Sequence, residues 1–293
     1  MDTHLKGLMI TTLGVLLVIP DSLFVRLIDA GPLVTAFWRG LTAGLIVLVL
    51  LLIFRGITGF KEIFQTGWVG LAYALLIGST PLAFVLAISN TSVANAVFIF
   101  ASMPIFAVLF GRVVLKEPIQ RRMIVTIVFV LLGLSLIAAG SGGSEIASLK
   151  GDLWALYVSI AFALALTLAR LVKDVSLVPA VPFAYIGAAL VIGFFVEPLS
   201  AIQDQPFLIL GHGAFIGAAS CLLTLGPRFI SAAEVSLLIL LESVLAPVLV
   251  WAVIGEDPGQ WALIGGGIVI SALVISNVVV LLRRGDKEKG RLV

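Results

Sequence analysis

Four charged residues lie in or beside stretches that are otherwise oily: Asp21, Arg26, Asp29 and Arg39, all within IPDSLFVRLIDAGPLVTAFWRG (19–40). A charge held near the middle of a bilayer costs about 2.5–3.5 kcal/mol or more on insertion scales. Groups kept at that cost either pair with one another or meet something that moves. Asp21 falls about seven residues from the outer end of the first apolar run, and Arg39 about six residues into the second. At 1.5 Å per residue both lie roughly 10 Å deep, so antiparallel neighbours would place them level. They can form a structural salt bridge, or a pair facing a polar cavity that meets a charged or zwitterionic solute. Trp38 points about 100° away from Arg39 and is expected to face lipid. Arg26 and Asp29 sit at the boundary, where snorkelling is enough.

Further candidates are spread along the chain. Glu242 lies near the centre of a run that is apolar from Val235 to Trp251. A lone carboxyl at the midplane is a group that can carry a proton or take a substrate amine. Glu234, two turns earlier, is a weaker candidate for the same face. His212 lies at a depth near that of Asp21 and is suited to a proton relay, against the blander reading of a hydrogen-bonded structural histidine. Asn95 and Asn277 fit interhelical hydrogen bonds. Glu117 and Glu256 end matched helices, and each is expected to anchor the next helix. Pro20 removes a helix donor beside Asp21, and Pro104 and Pro247 sit inside other runs. All three are hinge candidates, because carbonyls freed in a membrane need protein or a water-filled cavity to face.

These residues are carried by a chain of 293 residues that is 61% hydrophobic and only 12% charged. Soluble domains carry roughly twice that charge, so the chain reads as an integral membrane protein. Apolar runs long enough for the ~30 Å hydrocarbon core fall at 6–28, 33–54, 66–88, 92–114, 121–140, 151–171, 180–197, 207–226, 232–254 and 260–282. Short alternating segments of a β-barrel are absent. The expected fold is all-α, with ten transmembrane helices. The first run is too long for a signal-peptide core and lacks a cleavage site after it. The single cysteine, Cys221, excludes an intrachain disulfide.

Placing the N-terminus in the cytoplasm collects 15 of the 18 Lys and Arg on that side, from Lys6 to Arg291, against only Arg26 and Lys150 outside and Arg39 within a helix. The positive-inside rule then puts both termini in the cytoplasm; the expected location is the cytoplasmic (inner) membrane. The basic tail RRGDKEKGR reads as a solvated stop at the lipid headgroups. Trp68, Trp154 and Trp261 fit an aromatic belt.

The chain also echoes itself. TSVANAVFIFASMPIFAVLFGRVVLKEP (91–118) aligns without gaps with ISAAEVSLLILLESVLAPVLVWAVIGED (230–257), pairing Ser92 with Ser231, Ala107 with Ala246 and Glu117 with Glu256. A second offset pairs Lys6-Gly7 with Lys150-Gly151 and Arg26 with Arg170. The expected units are a first five-helix repeat over 1–143 and a second over 144–293. Five is odd, so the second repeat enters the membrane from the opposite side. Inverted repeats are a common secondary-transporter architecture with the solute site near the midplane.

With these features in place, the sequence resembles the drug/metabolite transporter superfamily, specifically its ten-helix EamA-type exporters. The residues that carry the resemblance are FWRG with Arg39, MPIFAVLFGRVVLKEP with Pro104 and Glu117, and the later pair Glu242 and Glu256. The resemblance implies a basket of helices around a central cavity, the fifth and tenth at its base, moving small metabolites such as amino acids or drugs, usually outward. Ser243 stands where many members have Pro after the ninth-helix glutamate, and Ile19-Pro20 where many have Trp-Gly. Both departures bear on substrate class and leave the fold reading intact.

The expected activity is therefore secondary transport of amphoteric solutes by alternating access. The resemblance favours export, with an importer or a drug or cation efflux carrier of the same fold as the alternative. HExxH, GxGD, DDxxD and GxxxxGK[ST] are all missing, so neither an intramembrane enzyme nor direct ATP drive is expected. A receptor or scaffold would have no need of inverted halves. The expected partners are a small-molecule substrate, membrane lipids and, through Glu242, coupled protons; no cofactor, metal or nucleic acid is expected. Glycines in GGGIVISA and at Gly133 fit either close helix contacts or a homodimer face.

Overall fold

The structure, a computed structural model, describes residues 3–90, 99–100, 102–140, 149–255 and 259–289. Among the described residues every regular element is helical. The first crossing is divided into α1 (Thr3–Val18) and α2 (Asp21–Leu27). It is followed by α3 (Pro32–Arg55), α4 (Trp68–Asn90), α5 (Met103–Val114) and α6 (Arg121–Gly140). The second half holds α7 (Leu149–Leu171), α8 (Ala180–Gly193), α9 (Pro206–Leu225), α10 (Ala232–Ile254) and α11 (Gly259–Lys289). With α1 and α2 taken as one, the described residues hold ten main helices, five in each half. Five of the described helices have the length and apolar composition to span a bilayer unaided.

The surface is the reverse of a soluble protein's. Phe194 and Phe207 are 87% and 88% exposed, whereas Asp21 and His212 are 8% and 1% exposed. Apolar side chains facing outward around buried polar ones is the arrangement a lipid solvent favours.

Several boundaries depart from the sequence expectation for local reasons. Pro20 has no N–H to give the Leu16 carbonyl, so the first crossing breaks outright; Phe24 N–H restarts the ladder on Pro20 O at 2.9 Å. The seventh crossing stops at Gly193, short of the expected 197, and the chain turns through Pro198 into a short helix, Leu199–Asp204. The short helical segment Ile57–Gln65, which follows α3, is bent by 106° from α4. Gly67, at φ 55°, supplies the left-handed backbone that this corner requires. Pro104 does not kink a continuous helix: it lies in the first turn of α5, where a missing N–H costs nothing. The helix α10 runs unbroken through Pro247. Asn95 and Glu256 lie outside the described residues.

A proline that the sequence reading passes over lies inside α4. Pro81 deprives the Ile77 carbonyl of its helical donor, and the Thr80 hydroxyl donates to that oxygen instead, at 2.9 Å.

The two halves are interlocked in matched pairs. Contact of α4 with α7 has its counterpart in α1 with α9; α8 with α4 is matched by α3 with α9; α5 with α7 is matched by α10 with α1 and α2. Three further pairs, α3 with α8, α6 with α11 and α5 with α10, join equivalent helices across the two-fold relation. This is the contact pattern of an inverted repeat. Small residues set the closest approaches. A Cβ on Gly78 would lie 2.7 Å from the Ala184 carbonyl oxygen, and one on Gly133 would lie 2.6 Å from that of Gly265. Gly133 therefore serves a contact within the chain, between α6 and α11.

Candidate functional site

The break at Pro20 places Asp21 at the first turn of α2, where a carboxylate complements the helix dipole. There it meets α3 and α9. Arg39 Nε donates to Asp21 Oδ1 at 3.1 Å and Oδ2 at 3.2 Å, and Arg39 Nη2 donates to Oδ2 at 2.7 Å. His212 Nε2 bonds Asp21 Oδ1 at 2.5 Å. One carboxylate is thus held from both repeats, by an arginine of the first and a histidine of the second. The imidazole is fixed by Phe24, stacked on it at 5.3 Å between centroids and 12° between planes. His212 Nδ1 is buried without a hydrogen-bond partner among the described residues.

The three groups differ in access. The His212 side chain is 1% exposed and that of Asp21 11%, while Arg39 keeps 22%. Among the described residues nothing accepts a hydrogen bond from Arg39 Nη1. The guanidinium therefore uses one edge to hold Asp21 and retains donors for a second acceptor. Charge-assisted, planar pairing of this kind is what suits arginine to carboxylates.

Glu242 on α10 is partly exposed and lies within electrostatic reach of Asp21 and Arg39. Among the described residues it makes no hydrogen bond or ion pair. The bonded trio Asp21, Arg39 and His212 and the nearby Glu242 thus come from four elements, two from each half. Chemically the cluster offers donors for an anionic group on Arg39 and an uncommitted carboxyl for a cationic group or a proton.

Glu234 does not join them. It caps its own helix: Ser231 Oγ accepts from Glu234 N at 3.2 Å, and Glu234 Oε2 accepts from Ser231 N at 3.1 Å. This is a capping box. Its Oε1 accepts from Arg122 Nη2 at 2.8 Å and pairs with His4 Nε2 at 3.1 Å. The carboxylate is folded back toward the basic end, eight residues and about 12 Å of helix from Glu242. Trp38 likewise differs from expectation. Its indole N–H donates to Pro198 O at 2.7 Å, and the ring packs with Ile28, Ala201 and Ile209 instead of facing lipid.

Four residues missed by the sequence reading extend the polar region. Tyr185 OH bonds Ser220 Oγ at 2.7 Å, and Tyr73 OH bonds Thr224 Oγ1 at 2.8 Å. Tyr185 lies within electrostatic reach of Arg39. The signal is present in the spacing: His212, Ser220 and Thr224 fall at multiples of four on one helix, so they follow one slowly winding stripe.

A model of the EamA-like transporter family matches the chain twice, over residues 8–139 and 149–278. A solved chain described only as "Crystal structure of protein" superposes with a TM-score of 0.79, at 16% identity, over 96% of this chain and 98% of its own. That likeness speaks for the fold. No curated protein sequence matches.

Proposed function

The chain belongs to the EamA-like transporter family, and from that premise we propose that it carries small amphoteric solutes, amino acids or close relatives, outward across the cytoplasmic membrane by alternating access. The family makes it a multi-pass membrane transporter of small solutes; solute class, direction and coupling are our reading. The observation that carries it is that Arg39, which keeps unengaged donors, lies within electrostatic reach of Glu242, whose carboxyl has no partner among the described residues. A solute with both an ammonium and a carboxylate satisfies both groups. A purely cationic drug would leave Arg39 facing a like charge. Glu242 is also assigned the coupling proton, and the excess of Lys and Arg in one set of connections supports our placing both termini in the cytoplasm.

The test is counterflow in proteoliposomes preloaded with unlabelled amino acids, following the appearance of labelled ones inside. Saturable counterflow is expected, with a response to an imposed pH gradient that Glu242→Gln removes. Absence of counterflow with every amino acid, from folded protein, would overturn the solute class. A Glu242→Gln variant that still responds to the gradient would overturn the coupling assignment.

A further inference from the structure

A second charged region at the basic end is not used by the site around Arg39. A cavity of about 230 Å³ opens there between the halves, lined by the start of α1, the end of α5, the start of α6, the end of α7 and the start of α10. It contains an ion pair that crosses the repeats: Arg170 Nε donates to Glu117 Oε1 at 3.2 Å. Arg170 Nη1 is committed to the Pro227 and Arg228 carbonyls, at 3.0 and 3.3 Å. Glu117 Oε2 and Arg170 Nη2 have no partner among the described residues. The two side chains are 33% and 20% exposed. An open carboxylate oxygen and an open guanidinium N–H therefore share one small cavity.

The backbone is bent to bring this about. Lys116 takes a left-handed conformation, φ 57°, which costs a non-glycine residue about 1–2 kcal/mol. The turn lets Glu117 N–H close onto Gly111 O at 3.1 Å. A left-handed residue directly after the Leu115 C-cap is a common way to end a helix, and here it also sets the direction in which the chain leaves α5 toward Glu117. Glu234 forms a neighbouring wall, and its four contacts to His4, Arg122 and Ser231 already satisfy it.

We infer that this cavity is a second solute site, distinct from the one around Arg39, that takes small zwitterions with the ammonium on Glu117 and the carboxylate on Arg170. The inference rests on the proposed function for its solute class. Charge decides against singly charged ligands: the Glu117–Arg170 pair is neutral, so a lone cation or anion would bring an uncompensated charge into a partly dehydrated space. Size decides against drugs, because drug-sized ligands occupy pockets of about 300–1,000 Å³. Apolar groups of Val108 and Ile119 on the wall suit a short side chain. In a carrier with cytoplasmic termini, this is where an exported solute arrives first.

The test reads occupancy without transport. Gln120 lines the cavity and is exposed, so Gln120→Cys in a Cys221→Ser background supplies one reactive thiol. L-Alanine at about ten times its Kd is expected to slow maleimide labelling of that thiol about tenfold. Propionate and propylamine at the same concentration should not. Adding Glu117→Gln removes the protection, Glu117→Asp restores part of it, and Arg39→Ala leaves it in place. Protection by all three ligands alike, protection that survives Glu117→Gln, or protection lost with Arg39→Ala would overturn the second site. Alanine counterflow without protection overturns it too, while leaving the proposed function standing. Protection by alanine without counterflow of any amino acid does the opposite, and the absence of protection and of counterflow with every amino acid removes both.

Discussion

Asp21 and Arg39 are joined by three hydrogen bonds, with the shortest at 2.7 Å and side-chain exposures of 11% and 22%. Removing one partner of a buried pair strands the other and costs about 3–5 kcal/mol. Arg39 is partly wet and His212 supports Asp21, so each of Asp21→Asn and Arg39→Gln is expected at the low end, about 3 kcal/mol. The double variant replaces the ion pair by two neutral amides that can still bond each other. It should therefore be no less stable than either single, a coupling of about 3 kcal/mol, at the top of the usual range for contacting residues. Denaturant titration of the purified protein measures that cycle. Counterflow of the same four proteins measures what stability cannot. If Arg39 also takes the solute's carboxylate, the double variant keeps the stability of a single but loses a charge-assisted bond worth about 1.5–3 kcal/mol, or about 10–150-fold in kcat/KM. A double variant that transports like the parent would refute the functional reading and leave a structural clasp. Additive stabilities would refute the pairing itself.

Two predictions bear on the scaffold. Thr80→Val removes the hydroxyl that covers the Ile77 carbonyl beside Pro81 and should cost about 1–3 kcal/mol as an unsatisfied buried acceptor; an unchanged denaturation midpoint would show that water takes its place. Gly78→Ala puts a methyl 2.7 Å from the Ala184 carbonyl oxygen, which should force α4 and α8 apart at about 1–3 kcal/mol, whereas an unaltered midpoint would mean the crossing yields freely.

The ten helices are legible in the sequence because each lies in an apolar run bounded by charged or Gly/Pro-rich breaks, and the inverted frame because five is odd. The equal depth of Asp21 and Arg39 is also legible, since rise per residue fixes depth along a helix. What escapes is lateral: which face meets which neighbour. The depth of His212 can be read from its place in the run, but its bond to Asp21 depends on α9 packing against α2 and α3, a contact between repeats that no local pattern encodes. Spacing alone assigns Glu234 to the face of Glu242, yet the capping box with Ser231 and the pull of Arg122 decide its direction. Tyr73 and Tyr185 escape for the opposite reason. Each sits in an apolar run where an aromatic ring needs no explanation, and only the hydroxyl partners on α9 reveal them as polar.

Stability alone is a poor reason for the charges that break the apolar runs. Replacing a buried ion pair by apolar groups of similar volume is often neutral or stabilising by about 1–4 kcal/mol, so a helix bundle with no other task would lose little by discarding Asp21, Arg39 and His212 together. The chain instead keeps all three, breaks its first crossing at Pro20 to present one of them, and leaves Glu242 nearby without a partner among the described residues. An unpaired carboxyl has no stabilising contact to account for it. Its presence beside a guanidinium with donors to spare makes sense where a mobile solute completes the set, binding both groups in one state and releasing them in another. On that account the strictest demand falls on Glu242: Glu242→Gln should leave folding stability unchanged or improved while impairing counterflow, and a variant that lost stability and transport in proportion would show the carboxyl to be structural after all.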